Sequence, residues 1–181
     1  MPRIAIPTRA AAPPESHAIL DGIEQKFGVI PNLFRLMAVS PRVLTGYSGL
    51  SGPLAGSFDL KTREQIAITV AQVNGCDYCL SAHSYIGANL AGLSEGDIAF
   101  SRGGSATDPR TAAIVGFAAA VAEHRGRVAD TDVSAARLAG LSDPELVEIV
   151  ALVADNFFTN LLNNVAETDI DFPVVRVAKA A

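Results

Sequence analysis

Cysteine is scarce in this 181-residue chain, which has two, Cys76 and Cys79. Two thiols three positions apart close no long loop, so they cannot be a structural disulfide framework. Long apolar runs are also missing. The longest, Ala112 to Ala122, falls well short of the ~20 residues that cross a bilayer. The opening stretch, Met1-Pro2-Arg3-Ile4-Ala5-Ile6-Pro7-Thr8-Arg9, holds no apolar h-region, so a cytoplasmic protein without membrane contact is expected. Basic clusters and aromatic platforms are absent too. Fourteen basic against nineteen acidic residues leave a net charge of -5, which argues against a nucleic-acid partner. Strand signals are few: Val174-Val175-Arg176-Val177 is the one β-branched alternation of any length, and it lies in the tail.

Helical signals fill the rest, and the fold class is all-α. The length suits one domain, with residues 1–14 as a proline-rich extended arm and 168–181 as an extended tail. A 49% hydrophobic composition and mean hydropathy of +0.29 point to surface buried between copies of the chain. Pro14 to Phe27 reads as an amphipathic helix stopped by Gly28, and Asn32 as the cap of a short Leu33 to Val39 helix. Ser40-Pro41 opens a helix to about Leu54, and Asp59 to Val73 forms another, closed by Asn74-Gly75. The cysteine helix follows, to about Leu90. Ser94-Glu95-Gly96-Asp97 starts a short helix, Asp108-Pro109 an alanine-rich one to about His124, and a further short one lies near Val133 to Ala139. Ser142-Asp143-Pro144-Glu145 is a capping box opening a helix that reaches about Ala166.

A faint internal repeat has an offset of 81 residues: Leu60-Lys61-Thr62-Arg63-Glu64 resembles Leu141-Ser142-Asp143-Pro144-Glu145. Carried forward, it sets Phe157, Asn160 and Asn164 at the places of Cys76, Cys79 and His83. A degenerate second copy would then supply packing and a polar wall; chance likeness between amphipathic helices explains the match equally well.

Cys76, Cys79 and His83 stand at i, i+3 and i+7, so a helix projects all three from one face near its start. Helix N-terminal amides favour thiolate over thiol, and a histidine one turn away can take its proton. Asn74-Gly75 is so short a connection that the flanking helices run antiparallel. Glu64 lies eleven residues before Gly75 and His83 eight after it, so their levels differ by about 4 to 5 Å. A Glu64 to His83 hydrogen bond is therefore expected, with the carboxylate raising the imidazole's basicity. The plainer alternative is a solvated glutamate beside Lys61 and Arg63. Cys-x-x-Cys itself admits redox chemistry, zinc binding and small buried hydrophobes, in that order of preference, because no second Cys-x-x-Cys completes a zinc set and His83 argues against inert core. His17 and His124 read as surface or cap residues. Asn156, Asn160, Asn163 and Asn164 crowd a largely apolar helix. They line the site, bridge subunits, or form a stripe turned to water.

Glu64, then Cys76-x-x-Cys79, then His83, resembles the carboxymuconolactone decarboxylase and alkylhydroperoxidase D superfamily. Phe27-Gly28-Val29-Ile30-Pro31-Asn32-Leu33-Phe34 and the stretch from Leu60 to Ser94 are similar to its peroxidase-related branch. The resemblance spans most of residues 20 to 172. It implies an alkylhydroperoxidase D-like helical bundle, assembled as trimers or hexamers, that reduces alkyl hydroperoxides in antioxidant defence with no cofactor and no metal. By it, Cys79 attacks the peroxide, Cys76 resolves the sulfenic acid, and Glu64 with His83 relays protons. Cys76 lies nearer the helix start, so the reverse order of attack stays open. Tyr78 stands where alkylhydroperoxidase D has a second histidine, which implies a shortened relay. The lactone reaction is disfavoured, because the decarboxylase branch does not work through a Cys-x-x-Cys pair. The disulfide formed must be reduced by an external dithiol, a lipoyl or thioredoxin-like protein. The rivals are a protein disulfide oxidoreductase and, from another class, a zinc-binding or structural assembly protein.

Overall fold

The computed structural model describes residues 2–178; Met1 of the expected arm and residues 179–181 of the expected tail lie outside them. Two 3-10 turns, Arg9–Ala11 and Pro14–Ser16, precede α1 (His17–Phe27), α2 (Asn32–Met37), α3 (Pro41–Leu54), α4 (Leu60–Val73), α5 (Asp77–Asn89), α6 (Glu95–Arg102), α7 (Pro109–Glu123), α8 (Asp130–Leu138) and α9 (Asp143–Ala166). The fold is all-α, with no strand among the described residues.

α4 is the central helix, packed against α5, α6, α7 and α9. Asp59 caps it by accepting from the Thr62 N–H at 2.7 Å. Ile66, Ile68, Val70 and Ala71 are fully buried on its different sides. One core joins Ile66 and Val70 to Ile114, Phe117, Ile149 and Val153 of α7 and α9. A second surrounds the cysteine helix: Ile68, Leu80 and Leu93, closed from outside by Ile170, Phe172, Val175 and Val177. Burying each of these larger side chains contributes about 1.5–3 kcal/mol. Gly87 permits the close approach here, since a Cβ on it would stand 2.7 Å from Leu93 Cδ1.

Three expectations change. Pro31, not Asn32, is the cap position of α2; the Asn32 side chain instead donates to the Asp169 carbonyl at 2.8 Å. The arm is not wholly extended, because the Thr8 hydroxyl caps the Arg9–Ala11 turn and Arg9 pairs with Asp21. The Val174 to Val177 alternation makes no sheet. Val175 N donates to Ser81 Oγ at 2.9 Å and Val177 N to Asp77 Oδ1 at 2.9 Å, so α5 side chains satisfy the backbone that a ladder would otherwise pair.

Candidate active site

The α4–α5 hairpin builds the site. Gly75, at φ +64°, turns the chain in the left-handed region that glycine adopts at no steric cost. The two helices return side by side, and His83 Nδ1 lies 2.8 Å from Glu64 Oε2. Glu64 is 8% exposed, so it is not the solvated helix-start residue. Burial alone would lower the His83 pKa. The Glu64 charge and hydrogen bond outweigh it and raise the value above the ordinary 6.5.

Cys76 is the N-cap of α5, its Sγ accepting from the Cys79 N–H at 3.2 Å. Both thiols are free and buried, 0% and 2% exposed. Their environments push them apart. Burial opposes ionisation of Cys79, but the Cys76 thiol, His83 and the amides of Asn163 and Asn160 together bring it down to about 7. Cys76 is pushed up, first by its hydrogen bond to Cys79 and then by burial. The surroundings thus favour ionisation of Cys79 over Cys76, despite the position of Cys76 at the helix start.

α9 forms the opposite wall. Asn163 Nδ2 donates to Cys79 Sγ at 3.3 Å. Asn160, fully buried, accepts from Asn74 Nδ2 at 2.9 Å. Its own Nδ2 has no partner at normal geometry, yet its amide dipole also favours the Cys79 thiolate. Asn164 is exposed and donates to the Asn74 carbonyl at 3.1 Å, while Asn156 is buried and bonds to Leu152 within its own helix. The asparagines are thus not a stripe turned to water, and Asn163 is the one on the sulfur. The repeat does not extend to a second hairpin: the positions matching Asn74-Gly75 fall inside the continuous α9.

Tyr78 is turned from the Glu64–His83 pair. Its hydroxyl accepts from Leu33 N at 3.1 Å and lies against the Asp171 carboxylate. Its ring meets Phe172 edge-on at 5.9 Å. It ties α5 to α2 and the tail. His17 bonds to the Ala12 carbonyl at 3.0 Å, and His124 is the exposed C-cap of α7. Among the described residues no group of three or more His, Cys, Asp or Glu is arranged to hold a metal ion.

The sequence reading omitted Asp155, Ser51 and Tyr47. Asp155 on α9 is 8% exposed and its Oδ1 has no partner. Burial raises its carboxyl to about 6 against the opposing influence of His83 and the Ser51 hydroxyl. The Tyr47 hydroxyl, pushed up first by burial, also feels Asp155, Cys79 and Glu64. Its ring lies 5.9 Å from that of Phe158 and 6.2 Å from that of Phe34. A lone aspartate in an apolar helix, with no sequence neighbour to pair it, carries no signal until the helices are packed.

Residues 41–106 match the carboxymuconolactone decarboxylase family model. No curated protein matches the chain. Among solved structures, the chain is similar to an alkylhydroperoxidase AhpD core described as an uncharacterized peroxidase-related protein from Ralstonia eutropha JMP134. The TM-score is 0.82 at 24% identity, covering 94% of this chain and 92% of that one. It is similar also to an uncharacterized peroxidase-related protein from Silicibacter sp. TM1040, with TM-score 0.79, 21% identity and 93% and 91% coverage. A third is the debrominase Bmp8 in complex with 2,3,4-tribromopyrrole, with TM-score 0.78, 20% identity and the same coverage. At these identities the likeness is one of fold.

Proposed function

We propose, from the match of residues 41–106 to the carboxymuconolactone decarboxylase family model and the geometry of the cysteine helix, that this chain is a thiol-dependent hydroperoxide reductase of the alkylhydroperoxidase D-like superfamily. The observation that carries the reading is the Cys79 sulfur, held by Asn163 at 3.3 Å and lying beside a histidine that is itself fixed by Glu64 at 2.8 Å. His83 takes the Cys79 proton and keeps it as imidazolium against Glu64. The thiolate attacks the terminal peroxide oxygen, the O–O bond breaks, and the departing alkoxide takes up a proton from an acid in the site or from water and leaves as an alcohol, with sulfenic acid on Cys79. The protonated Cys76 thiol condenses with it, releasing water and closing the disulfide. An external dithiol then returns both sulfurs to thiols.

Sulfurs 0% and 2% exposed favour a small peroxide over a folded protein disulfide as oxidant. They also favour a reductant whose dithiol rides on a thin arm, of lipoyl type, over a thioredoxin-like face. The exposed apolar row on α9, Val147, Val150, Phe158, Leu161 and Val165, supports assembly into a homo-oligomer, trimer or hexamer. No helix of the described residues is long and apolar enough to cross a membrane; a cytoplasmic place of work is part of the proposal.

Thiol titration before and after one equivalent of an organic hydroperoxide tests the reading. Two thiols lost and one alcohol formed per chain are expected; two thiols remaining would end it. A second reading, removal of bromine from an aromatic ring, is favoured by the Tyr47 ring, which feels the charges of Cys79 and Glu64 and packs with Phe34 and Phe158. Bromopyrrole consumption with release of bromide, and no hydroperoxide turnover, would select it.

A further inference from the structure

We propose that Asp155 is the acid that protonates the departing oxygen when Cys79 cleaves a hydroperoxide, a role that rests on the hydroperoxide-reductase reading of the same site. Thiolate attack on an alkyl hydroperoxide expels an alkoxide, which is far too basic to leave unprotonated near neutral pH. The step balances when a neutral carboxyl supplies the proton: thiolate, hydroperoxide and carboxylic acid give sulfenic acid, alcohol and carboxylate, and solvent reprotonates the carboxylate between turnovers.

Asp155 has the attributes that such an acid needs. It lies on α9 at i-8 from Asn163, on the helix face that reaches the Cys79 sulfur. It does not touch the sulfur, which suits an acid meant for the far oxygen. A buried carboxylate oxygen without a hydrogen-bond partner costs stability, and Asp155 Oδ1 is such an atom; a neutral carboxyl or a bound substrate oxygen removes the penalty. Asp155, Cys79 and Glu64 all act on the one hydroxyl of Tyr47, and Asp155 and His83 act on each other. The groups that act on Asp155 are Ser51 from α3 and His83 from α5, and Tyr47 from α3 feels its charge. Charges of α7 are turned elsewhere, Arg110 to Glu145 at 2.6 Å and Glu123 to solvent. Burial, which lifts the carboxyl to about 6, keeps a neutral fraction available while the Cys79 thiolate forms near 7.

The test compares two oxidants that differ in what leaves. Sulfenic acid formation at Cys79 is followed in single turnovers, in a Cys76→Ser background, with cumene hydroperoxide and with peracetic acid, whose acetate needs no proton. Asp155→Asn should slow the cumene hydroperoxide reaction about 100-fold or more, the range of general acid catalysis, and leave the peracetic acid rate nearly unchanged. That second rate also reports that the site is folded. Asp155→Glu should recover part of the loss. The parent's cumene hydroperoxide rate should be bell-shaped around pH 6 to 7, and Asp155→Asn should lose the alkaline limb. An equal fall with both oxidants, or no fall with either, overturns the proposal while leaving the reductase reading intact. A parent that neither oxidant converts to sulfenic acid overturns both.

Discussion

Asn163, near the end of the 24-residue α9, donates its side-chain amide to the sulfur of Cys79 at 3.3 Å across the site from the histidine. A hydrogen bond to a charged acceptor contributes about 1.5–3 kcal/mol, or about 1–2 pH units on the acceptor's titration. Asn163→Leu keeps the volume and removes the donor. The Cys79 thiolate should then form well above about 7, read as an upward shift in the pH dependence of iodoacetamide alkylation. An unmoved midpoint would assign the thiolate to His83 and Cys76 alone.

Glu64 raises the His83 pKa above 6.5 in the folded protein. A raised pKa means that the folded state binds the proton more tightly, so the stabilisation is complete below 6.5 and is lost as pH climbs through the folded value. The difference in unfolding midpoint between the parent and Glu64→Gln should therefore be largest below 6.5 and shrink above it. In turnover, Glu64→Gln and His83→Gln should not add, because groups of one relay fail together. Additive losses would mean that they work separately.

The surroundings raise the Cys76 pKa and lower that of Cys79. Cys76→Ser should consequently accumulate sulfenic acid at Cys79 on peroxide treatment, trapped by dimedone and seen by mass spectrometry. Cys79→Ser should remain unmodified at Cys76. The opposite pattern would reverse nucleophile and resolving thiol.

Local patterns carried most of the fold into view. The helix start at Ser94, the capping box at Ser142, proline at helix starts and the Asn74-Gly75 turn mark helices that the structure contains. The Glu64–His83 contact followed from counting residues on either side of that turn. What stayed hidden depends on packing between distant segments. Which of four asparagines reaches Cys79 is set by the rotation of α9 against α5: the repeat offset pointed to Asn160 and Asn164, and it is Asn163 that donates to the sulfur, with the Asn160 amide also favouring the thiolate. The tail alternates like a strand, but α5 offers Ser81 and Asp77 where a sheet would offer a neighbour.

Tyr78 tests how far the relay extends. In the sequence it occupies the place of a second histidine, and Tyr78→His would be expected to speed turnover if that histidine were missing from the relay. The packing argues otherwise. The Tyr78 hydroxyl satisfies the Leu33 N–H at 3.1 Å, the residue is 4% exposed, and its ring fills the space beside Phe172. An imidazole there is shorter and leaves the Leu33 donor unpaired, at a cost of about 1–3 kcal/mol. Tyr78→His should accordingly lower the thermal midpoint without raising the rate of peroxide reduction. Tyr78→Phe, which keeps the ring and removes only the acceptor, should lower the midpoint while the pH dependence of Cys79 alkylation stays put. A faster Tyr78→His enzyme would show that the imidazole reaches the relay from this position, and that the contact with α2 yields to it.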